Sequence, residues 1–305
     1  MPSEARTSAT TIRCPADHPL GYRASVPDAT CDEPASAPGR PWLLQAVQVA
    51  PFSYKDAFTL FNLGAGVVAL YELAHGHARA AGYWVMIGYV LGDLFDGAVA
   101  RATRTSNAFG GELDAIVDHF VHVVVPALIL AEVYRGRGHE VLGLAIGGFL
   151  LATATIRHAR LASEPFSSKQ AWCGLPRTVS GFAAMSLPLS IAFFDDNPAR
   201  IVTTTAVIAV LSMLNVIPIP YATHRGARKL SGASKVLAIL WLVSPLAVFL
   251  IDRAYVFDLI FVWCAGYTLL GWAPLTKDER VEFATERTRW LAAVAQQRKR
   301  KPRPA

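Results

Sequence analysis

The 305-residue chain is too apolar for an ordinary soluble protein. Hydrophobic residues make up 53% of it, charged residues only 17%, and the mean hydropathy is +0.33, whereas soluble domains carry about 25% charged residues. This composition excludes a disordered chain, a disulfide scaffold and a soluble nucleic-acid-binding protein, although the net charge is +6, and it predicts a polytopic membrane protein.

The first 50 residues differ from the rest of the chain. They are rich in Pro, Ala, Ser and Asp and contain no apolar stretch of the kind found in secretory signal peptides. Residues 1–50 are therefore predicted to form a disordered cytoplasmic tail. No pair of cysteines has a CxxC-type spacing, so neither a zinc site nor a disulfide framework is predicted. The cysteines are Cys14, Cys31, Cys173 and Cys264.

Eight apolar segments follow the tail. Their lengths suit helices of about 20 residues that cross a hydrocarbon core about 30 Å thick. Helices are expected because lipid offers no hydrogen-bond partners to an open backbone. The sequence thus predicts an all-α fold, a polytopic membrane helical bundle of about eight transmembrane helices, within a domain spanning residues 51–275. The segments run over residues 57–75, 80–104, 109–133, 139–162, 177–194, 200–221, 234–251 and 255–272.

The Lys and Arg residues predict an orientation for these segments. With the N-terminus inside, 24 of the 29 Lys and Arg residues fall in cytoplasmic regions, as the positive-inside rule requires. Both termini are therefore expected in the cytoplasm, at the cell (inner) membrane. The C-terminal tail, residues 276–305, is expected to be helical and then polybasic; contact with anionic lipid headgroups and a freely solvated tail are both open.

Four Asp residues lie around the second inside loop, in the stretch GDLFDGAVARATRTSNAFGGELDAIVDHF (92–120). At helical spacing, Asp93 and Asp96 share one face, and Asp114 and Asp118 share a face of the next helix. Acidic residues are costly in membrane helices and usually mark function. Four close carboxylates need cations, and oxygen ligands suit Mg²⁺ or Mn²⁺, which in turn bind phosphates. A metal-assisted phosphate site near the cytoplasmic edge is predicted.

The stretch contains DxxDGxxAR and, eight residues later, GxxxDxxxD, and so it resembles the CDP-alcohol phosphatidyltransferase family. The resemblance implies homodimers and two Mg²⁺ or Mn²⁺ ions that clamp the diphosphate of a CDP-linked lipid. It implies that Asp93, Asp96 and Asp114 bind metal, and that Asp118, beside them as a further ligand, deprotonates the acceptor hydroxyl. It places Gly97, Ala100, Arg101 and Gly110 at the CDP-lipid, with Arg101 at the diphosphate.

Further motifs resemble the phosphatidylserine synthase branch of this family over roughly residues 54–272: FTLFN (58–62), SSKQAWCGLP (167–176) and LNVIPIPY (214–221). The branch implies transfer of the phosphatidyl group from CDP-diacylglycerol to L-serine. Three departures from this branch leave other acceptors open: inositol phosphate, glycerol phosphate or choline. They are His122 in place of an SFG motif, ARLA in place of ARFN, and Arg177 in GLPRT in place of GLPSP. A cation-coupled transporter is a weaker alternative, because no inverted repeat is visible.

Several polar residues near the same loops are weaker candidates. Arg157, Arg160 and Lys169 could hold an anionic acceptor group or the lipid phosphate, with positive-inside anchoring equally open. Asn62 is a further candidate near the site. His119 and His122 are expected to pack rather than bind metal, because hard cations prefer oxygen ligands.

Overall fold

The computed structural model describes residues 53–93, 108–168, 170–223 and 232–299. These residues belong to one compact unit, Ala50–Ala305. The predicted N-terminal tail lies outside the described residues, and so do five predicted site residues: Asp96, Gly97, Ala100, Arg101 and Lys169.

Helices dominate the described residues, as the apolar segments predicted. Between the fifth and sixth helices the chain forms β1 (Ala171–Cys173), and after the seventh it forms β2 (Pro220–Ala222). The helices are α1 (Tyr54–Ala74), α2 (Ala78–Gly88), α3 (Ala108–His119), α4 (Val125–Gly136), α5 (Glu140–Ser163), α6 (Arg177–Leu189), α7 (Pro198–Val216), α8 (Gly232–Asp252), α9 (Val256–Leu270) and α10 (Lys277–Lys299).

Four of the described helical spans are long and apolar enough to cross a membrane: Tyr54–Ala74, Phe109–Gly136, Glu140–Ser163 and Pro198–Val216. The second of these comprises α3, α4 and the turn between them. The helical membrane bundle is therefore confirmed, while the number of eight spans stays a prediction. Helices α6 and α9 have 13 and 15 residues, and α2 leaves the described range after Asp93.

Two π-helical turns interrupt the regular helices. One, Tyr89–Asp93, continues α2, and the other, Phe120–Val124, joins α3 to α4. In a π turn one residue is inserted into the helical hydrogen-bond ladder, and such turns are frequent at functional sites. Pro126 lies in the first turn of α4, where its missing N–H is tolerated. The first π turn ends at Asp93 and the second begins two residues after Asp118, so both lie next to predicted site positions.

The core is formed where α2, α6, α9 and the α3–α4 span meet. Its fully buried side chains include Val85, Val121, Met185 and Phe257. Close packing of backbones depends on a small residue at Gly181, where an added Cβ would collide with the main-chain carbonyl oxygen of His122. Small residues at helix crossings are typical of membrane bundles, since dispersion contacts there replace the hydrophobic effect.

Two predicted segments end earlier in the structure than their apolar runs suggested. The segment predicted over 200–221 is helical only to Val216, because Pro218 and Pro220 cannot donate backbone hydrogen bonds. The chain continues instead as β2, which pairs antiparallel with β1 and places Trp172 opposite Tyr221. The segment predicted over 177–194 is helical only to Leu189.

Hydrogen bonds to a carboxylate on α9 replace the helical bonds after α6. The main-chain N–H of Ala192 donates to Asp258 Oδ1 at 2.8 Å, and the Ser190 hydroxyl donates to the same oxygen at 2.5 Å. The carboxylate is buried, so these bonds satisfy a charge that would otherwise be costly.

The C-terminal helix α10 packs against the two short strands. Phe283 and Trp290 of α10 form a buried cluster with Ala171 and Cys173 of β1. The Trp290 indole Nε1 donates to the Glu164 carbonyl oxygen at 2.7 Å, and the Arg160 guanidinium lies 4.7 Å from the centroid of the Trp290 ring. The tail is thus helical as predicted through Lys299, and one of its faces is docked rather than solvated.

Candidate functional site

Three potential metal ligands converge at one end of the bundle. Asp93, Asp118 and His122 each offer one ligand atom, and these atoms all lie within 4.8 Å of one another. Asp118 and His122 are buried, and Asp93 is half-buried. Asp93 ends the π turn of α2, while Asp118 and His122 lie four residues apart on α3 and the following π turn. Of the four predicted acidic residues, the structure therefore brings together the first and the last.

The third Asp of the motif, Asp114, lies one turn before Asp118 on the same helix and is half-buried. It is not part of the three-residue group, but it is close enough to His122 to act on the ring electrostatically, as Asp93 does. The second Asp of the motif, Asp96, lies outside the described residues.

Gly110 lies where α3 crosses the beginning of α1. A Cβ at this position would be 2.5 Å from Asp56 Oδ1 and 2.7 Å from Lys55 Cε. The missing side chain thus allows α3 to approach α1 closely, in addition to any role at a ligand. The Asp56 carboxylate accepts hydrogen bonds from the backbone N–H and the hydroxyl of Ser53 at 2.6 and 3.0 Å, which caps α1 beside this crossing.

His122 is a candidate site residue that sequence reasoning assigned to packing. Its buried ring does pack edge-to-face on Tyr89 and Phe182, with centroids 5.4 and 5.2 Å away. Its Nδ1 also lies 3.5 Å from Asp118 Oδ1, and neither ring nitrogen has a hydrogen-bond partner among the described residues. The signal in the sequence was its spacing of four residues from Asp118, which places both on one helical face.

The donor set fits a divalent cation. Two carboxylates held this close together repel each other unless a cation neutralises them, and the burial of Asp118 strengthens that repulsion. Carboxylate oxygens favour Mg²⁺ or Mn²⁺. The buried imidazole nitrogens of His122, which lack hydrogen-bond partners among the described residues, provide a further donor beside them.

An arginine approaches the second carboxylate oxygen of Asp118. The Nη2 of Arg177, the first residue of α6, lies 3.7 Å from Asp118 Oδ2 and donates to the Ala115 carbonyl oxygen at 3.2 Å. Its Nη1 lies 2.9 Å from His158 Nδ1 on α5. Asp118 is therefore bracketed, with His122 near Oδ1 and Arg177 near Oδ2.

The two described arginines predicted to hold an anionic group differ in their surroundings. Arg157 has a buried Nε without a hydrogen-bond partner among the described residues, and it is close enough to Arg177 and Cys173 to interact electrostatically. Arg160 instead donates from Nη1 to the Val216 carbonyl oxygen at 3.2 Å and contacts Trp290 of α10. Of the two, Arg157 is the one with an unused buried donor.

Two further polar candidates pack within the bundle. Asn62 is buried where α1 crosses α2: a Cβ on Gly92 would lie 2.6 Å from Asn62 Cβ, and one on Gly88 would lie 2.7 Å from Asn62 Oδ1. His119 contacts Thr155 Oγ1 through Nε2 at 3.1 Å and stacks on His158 at 5.8 Å. His119 thus joins α3 to α5, as its predicted packing role requires.

Cys173 of β1 lies near this arginine group. Burial raises the pKa of its thiol above the ordinary value, although nearby Arg157, Arg160 and Arg287 act in the opposite direction. A thiol with a raised pKa is protonated at neutral pH and is a poor nucleophile. Cys173 is therefore part of the packing beneath α10 rather than a candidate nucleophile.

Comparison with known proteins identifies the family. The family model described as CDP-alcohol phosphatidyltransferase matches residues 54–214, just over half of the chain. The chain thus belongs to the CDP-alcohol phosphatidyltransferase family. The match runs from the first residue of α1 to the last turns of α7, and it includes the Asp93–Asp118–His122 group.

Curated relatives cover a shorter stretch. The chain is 28% identical over 121 residues to a CDP-diacylglycerol–serine O-phosphatidyltransferase of one Helicobacter pylori strain, and 27% identical to that of a second strain. The alignments cover 38% of this chain and 50% of each relative. The chain therefore spans about half the length of the curated relatives it matches.

Proposed function

We propose that the protein is an integral membrane phosphatidyltransferase that moves the phosphatidyl group of CDP-diacylglycerol to L-serine, giving phosphatidylserine and CMP. The observation that carries this proposal is the convergence of Asp93 and Asp118, from two separate helices, within 4.8 Å in a chain of the CDP-alcohol phosphatidyltransferase family. The relatives named as serine transferases support L-serine as the acceptor.

The metal-site residues proposed from the motif are Asp93, Asp96, Asp114 and Asp118, with His122 added from the structure. One or two Mg²⁺ or Mn²⁺ ions held by these side chains would neutralise the diphosphate and stabilise charge on the attacking and leaving oxygens. Gly97, Ala100, Arg101 and Gly110 are proposed to surround the CDP part of the lipid. The Arg101 fork suits a phosphate oxygen.

Asp118 is the proposed general base. Its carboxylate accepts the proton of the serine hydroxyl as that oxygen forms a bond to the phosphorus carrying the diacylglycerol. The bond between this phosphorus and the oxygen bridging to CMP breaks, and the electron pair leaves with the CMP phosphate. General bases contribute about 10²–10⁴-fold to such steps. Burial of Asp118 limits the water that competes with serine as nucleophile.

Arg157 is the described residue best suited to hold the acceptor's anionic group. Its buried Nε has no hydrogen-bond partner among the described residues, and a buried guanidinium left without an anion is costly. A serine carboxylate would accept a charge-assisted hydrogen bond there. Lys169 is proposed as a second contact, and Arg160 and Asn62 support the surrounding helices.

The proposed location is the cell (inner) membrane, with both termini and the active site in the cytoplasm and two copies forming a homodimer. The charge asymmetry of the sequence supports the orientation, since 24 of 29 Lys and Arg residues lie on the proposed inner side. A site there can bind the water-soluble acceptor from the cytoplasm and the lipid from the bilayer.

An acceptor screen tests the proposal. Purified full-length protein in mixed micelles with CDP-diacylglycerol and Mn²⁺ or Mg²⁺ should release CMP when L-serine is added and should form phosphatidylserine, detected by mass spectrometry. Chelation with EDTA should abolish both signals. Parallel reactions with inositol phosphate, glycerol phosphate and choline provide the comparison.

The possible results distinguish the choice of acceptor, the transferase chemistry and the transporter alternative. Turnover with another acceptor but not with serine would reject the serine assignment and keep the chemistry. No CMP release with any acceptor, from protein that binds CDP-diacylglycerol, would reject the transferase proposal. Metal-driven ion flux in proteoliposomes without CMP release would favour the transporter alternative.

A further inference from the structure

We propose that Arg177, held by His158, is a positioning residue that orients the Asp118 carboxylate for proton transfer. This inference rests on the proposed function of Asp118 as the base. The position departs from the GLPSP sequence typical of the phosphatidylserine synthase branch, so the contact belongs to this chain's own sequence.

The helix that begins at Arg177 does not stabilise the positive charge of this residue. It is the first residue of α6, where the helix dipole disfavours a positive charge. Its side chain is only 14% exposed, so its charge is also poorly solvated. Both costs require a specific compensating partner, and Asp118 is the acidic group that the structure places beside it.

The backbone of Arg177 is anchored on several sides. Just before it, the N–H of Leu175 donates to the Leu214 carbonyl oxygen and that of Gly174 donates to the Ile219 carbonyl oxygen, both at 2.9 Å. The Ser180 hydroxyl lies 2.9 Å from both the Arg177 carbonyl oxygen and Asn215 Oδ1. The guanidinium is therefore presented from a rigid base, as a positioning group must be.

Both terminal nitrogens of the guanidinium already have protein partners. Nη1 contacts His158 Nδ1, while Nη2 contacts the Ala115 carbonyl oxygen and Asp118 Oδ2. A guanidinium used in this way is occupied, unlike the buried Nε of Arg157. Arg177 lies near Oδ2 of Asp118, whereas the other carboxylate oxygen, Oδ1, lies near His122, a member of the group where the reacting groups are proposed to bind.

Steady-state kinetics of Arg177→Ala and Arg177→Lys test this proposal. Because small misplacements of a catalytic group cost about 10²-fold, Arg177→Ala should lower kcat by about 10–100-fold while the KM values for serine and CDP-diacylglycerol stay within about twofold. Arg177→Lys retains a positive charge but not the forked guanidinium donors. Its kcat should therefore lie between those of the wild type and Arg177→Ala. Added guanidinium ion should partly restore Arg177→Ala.

The control is Arg137→Ala, in the connection between α4 and α5. Arg137 is also ion-paired, with Asp196, and it lies over the Phe194 ring. Neither of these residues belongs to the site, so kcat should be unchanged. His158→Ala removes the partner of Nη1 and should lower kcat by a smaller factor, about threefold, again with unchanged KM values. This variant keeps the test informative if Arg177→Ala does not fold.

Two kinetic outcomes would overturn the proposal. A raised KM for serine with unchanged kcat would make Arg177 an acceptor ligand, and unchanged kinetics throughout would remove it from the site. Independently of activity, structures of the wild type and Arg177→Ala should show the Asp118 carboxylate in different orientations, and an unchanged orientation would contradict the proposal. If the wild type turns over no acceptor, the proposed function fails, while this structural comparison still tests the contact.

Discussion

Asp118 has a different partner at each of its carboxylate oxygens. The His122 Nδ1 lies 3.5 Å from Oδ1, and the Arg177 Nη2 lies 3.7 Å from Oδ2. Both distances are longer than direct hydrogen bonds, so the contacts are electrostatic in this state. The carboxylate is thus flanked by the His122 imidazole at one oxygen and by the Arg177 guanidinium at the other.

Replacing Asp118 tests this dual role. Asp118→Asn preserves shape but removes the charge and the proton acceptor, so we expect kcat for CMP release to fall by about 10²–10⁴-fold. Binding of CDP-diacylglycerol, measured by titration calorimetry in micelles, should persist. Asp196→Asn is the control, since that carboxylate is 85% exposed and pairs with Arg137. Near-normal turnover of Asp118→Asn would exclude it as the base.

His122→Phe separates metal binding from packing. Phenylalanine keeps the edge-to-face contacts with Tyr89 and Phe182 but removes both nitrogens, so Mn²⁺ measured by electron paramagnetic resonance should bind about tenfold more weakly. His119→Phe is the matched control, because His119 is bonded to Thr155 instead. Equal Mn²⁺ affinity in wild type and His122→Phe would assign His122 to packing alone.

At the scale of elements, α6 depends on one close backbone contact with the π turn that follows Asp118. Gly181 of α6 faces the His122 carbonyl oxygen with no room for a Cβ. Because α6 also begins with Arg177, this crossing determines how far the guanidinium lies from Asp118. The packing of α6 at Gly181 therefore also affects the position of the Arg177 guanidinium at the site.

Gly181→Ala should therefore destabilise the protein. An added methyl group must displace backbone rather than a flexible side chain, and overpacking of this kind costs about 1–3 kcal/mol. We expect a lower thermal midpoint in detergent together with reduced kcat. Gly148→Ala on α5 is the control, because an added Cβ there meets nothing within 4 Å. Equal midpoints for the two variants would show that the crossing relaxes freely.

The docking of α10 can be tested at Trp290. Trp290→Ala removes the hydrogen bond to the Glu164 carbonyl oxygen and the ring under Arg160, and truncation of a buried Trp costs about 3–5 kcal/mol. Amides across 277–299 should lose hydrogen-exchange protection while those of α3 keep theirs. The neighbouring Leu291 is 41% exposed, so Leu291→Ala should change little. Unchanged exchange in Trp290→Ala would mean that other contacts hold α10.

At the scale of the whole molecule, the predicted topology puts the candidate site and most of the Lys and Arg residues on the same side of the membrane. Along the chain, the residues around the site lie at the end of the π turn that continues α2, near the end of α3 and in the π turn after it, near the end of α5 and at the beginning of α6. The positive-inside rule assigns this end to the cytoplasm. The metal-site candidates, the arginines and the docked α10 would then all face the compartment that supplies a water-soluble acceptor.

Cysteine labelling of intact cells tests this orientation. In a chain whose four native cysteines are replaced by serine, Asp196→Cys should react with a membrane-impermeant maleimide from outside. Ser167→Cys, exposed on the loop after α5, should react only after the membrane is permeabilised. The opposite pattern would invert the predicted topology.

The sequence by itself determined the helical membrane class and the acidic motif. Both follow from local spacing: apolar runs long enough for a bilayer, and Asp residues at helical intervals, as with Asp114 and Asp118 on α3. The proline residues after Val216 also signalled the end of α7, although the apolar run continued past them. The antiparallel pairing of β1 with β2 joins residues about fifty positions apart, and no local pattern specifies it.

Only the tertiary structure decided which side chains share the site. His122 and Asp93 belong to different helices, and the contacts of Arg177 with Asp118 and His158 join α6 to α3 and α5. Such contacts depend on how close two backbones come, which here is governed by the absence of a Cβ at Gly181. A helical pattern specifies which face a residue occupies, but the partner on that face depends on the crossing of the helices.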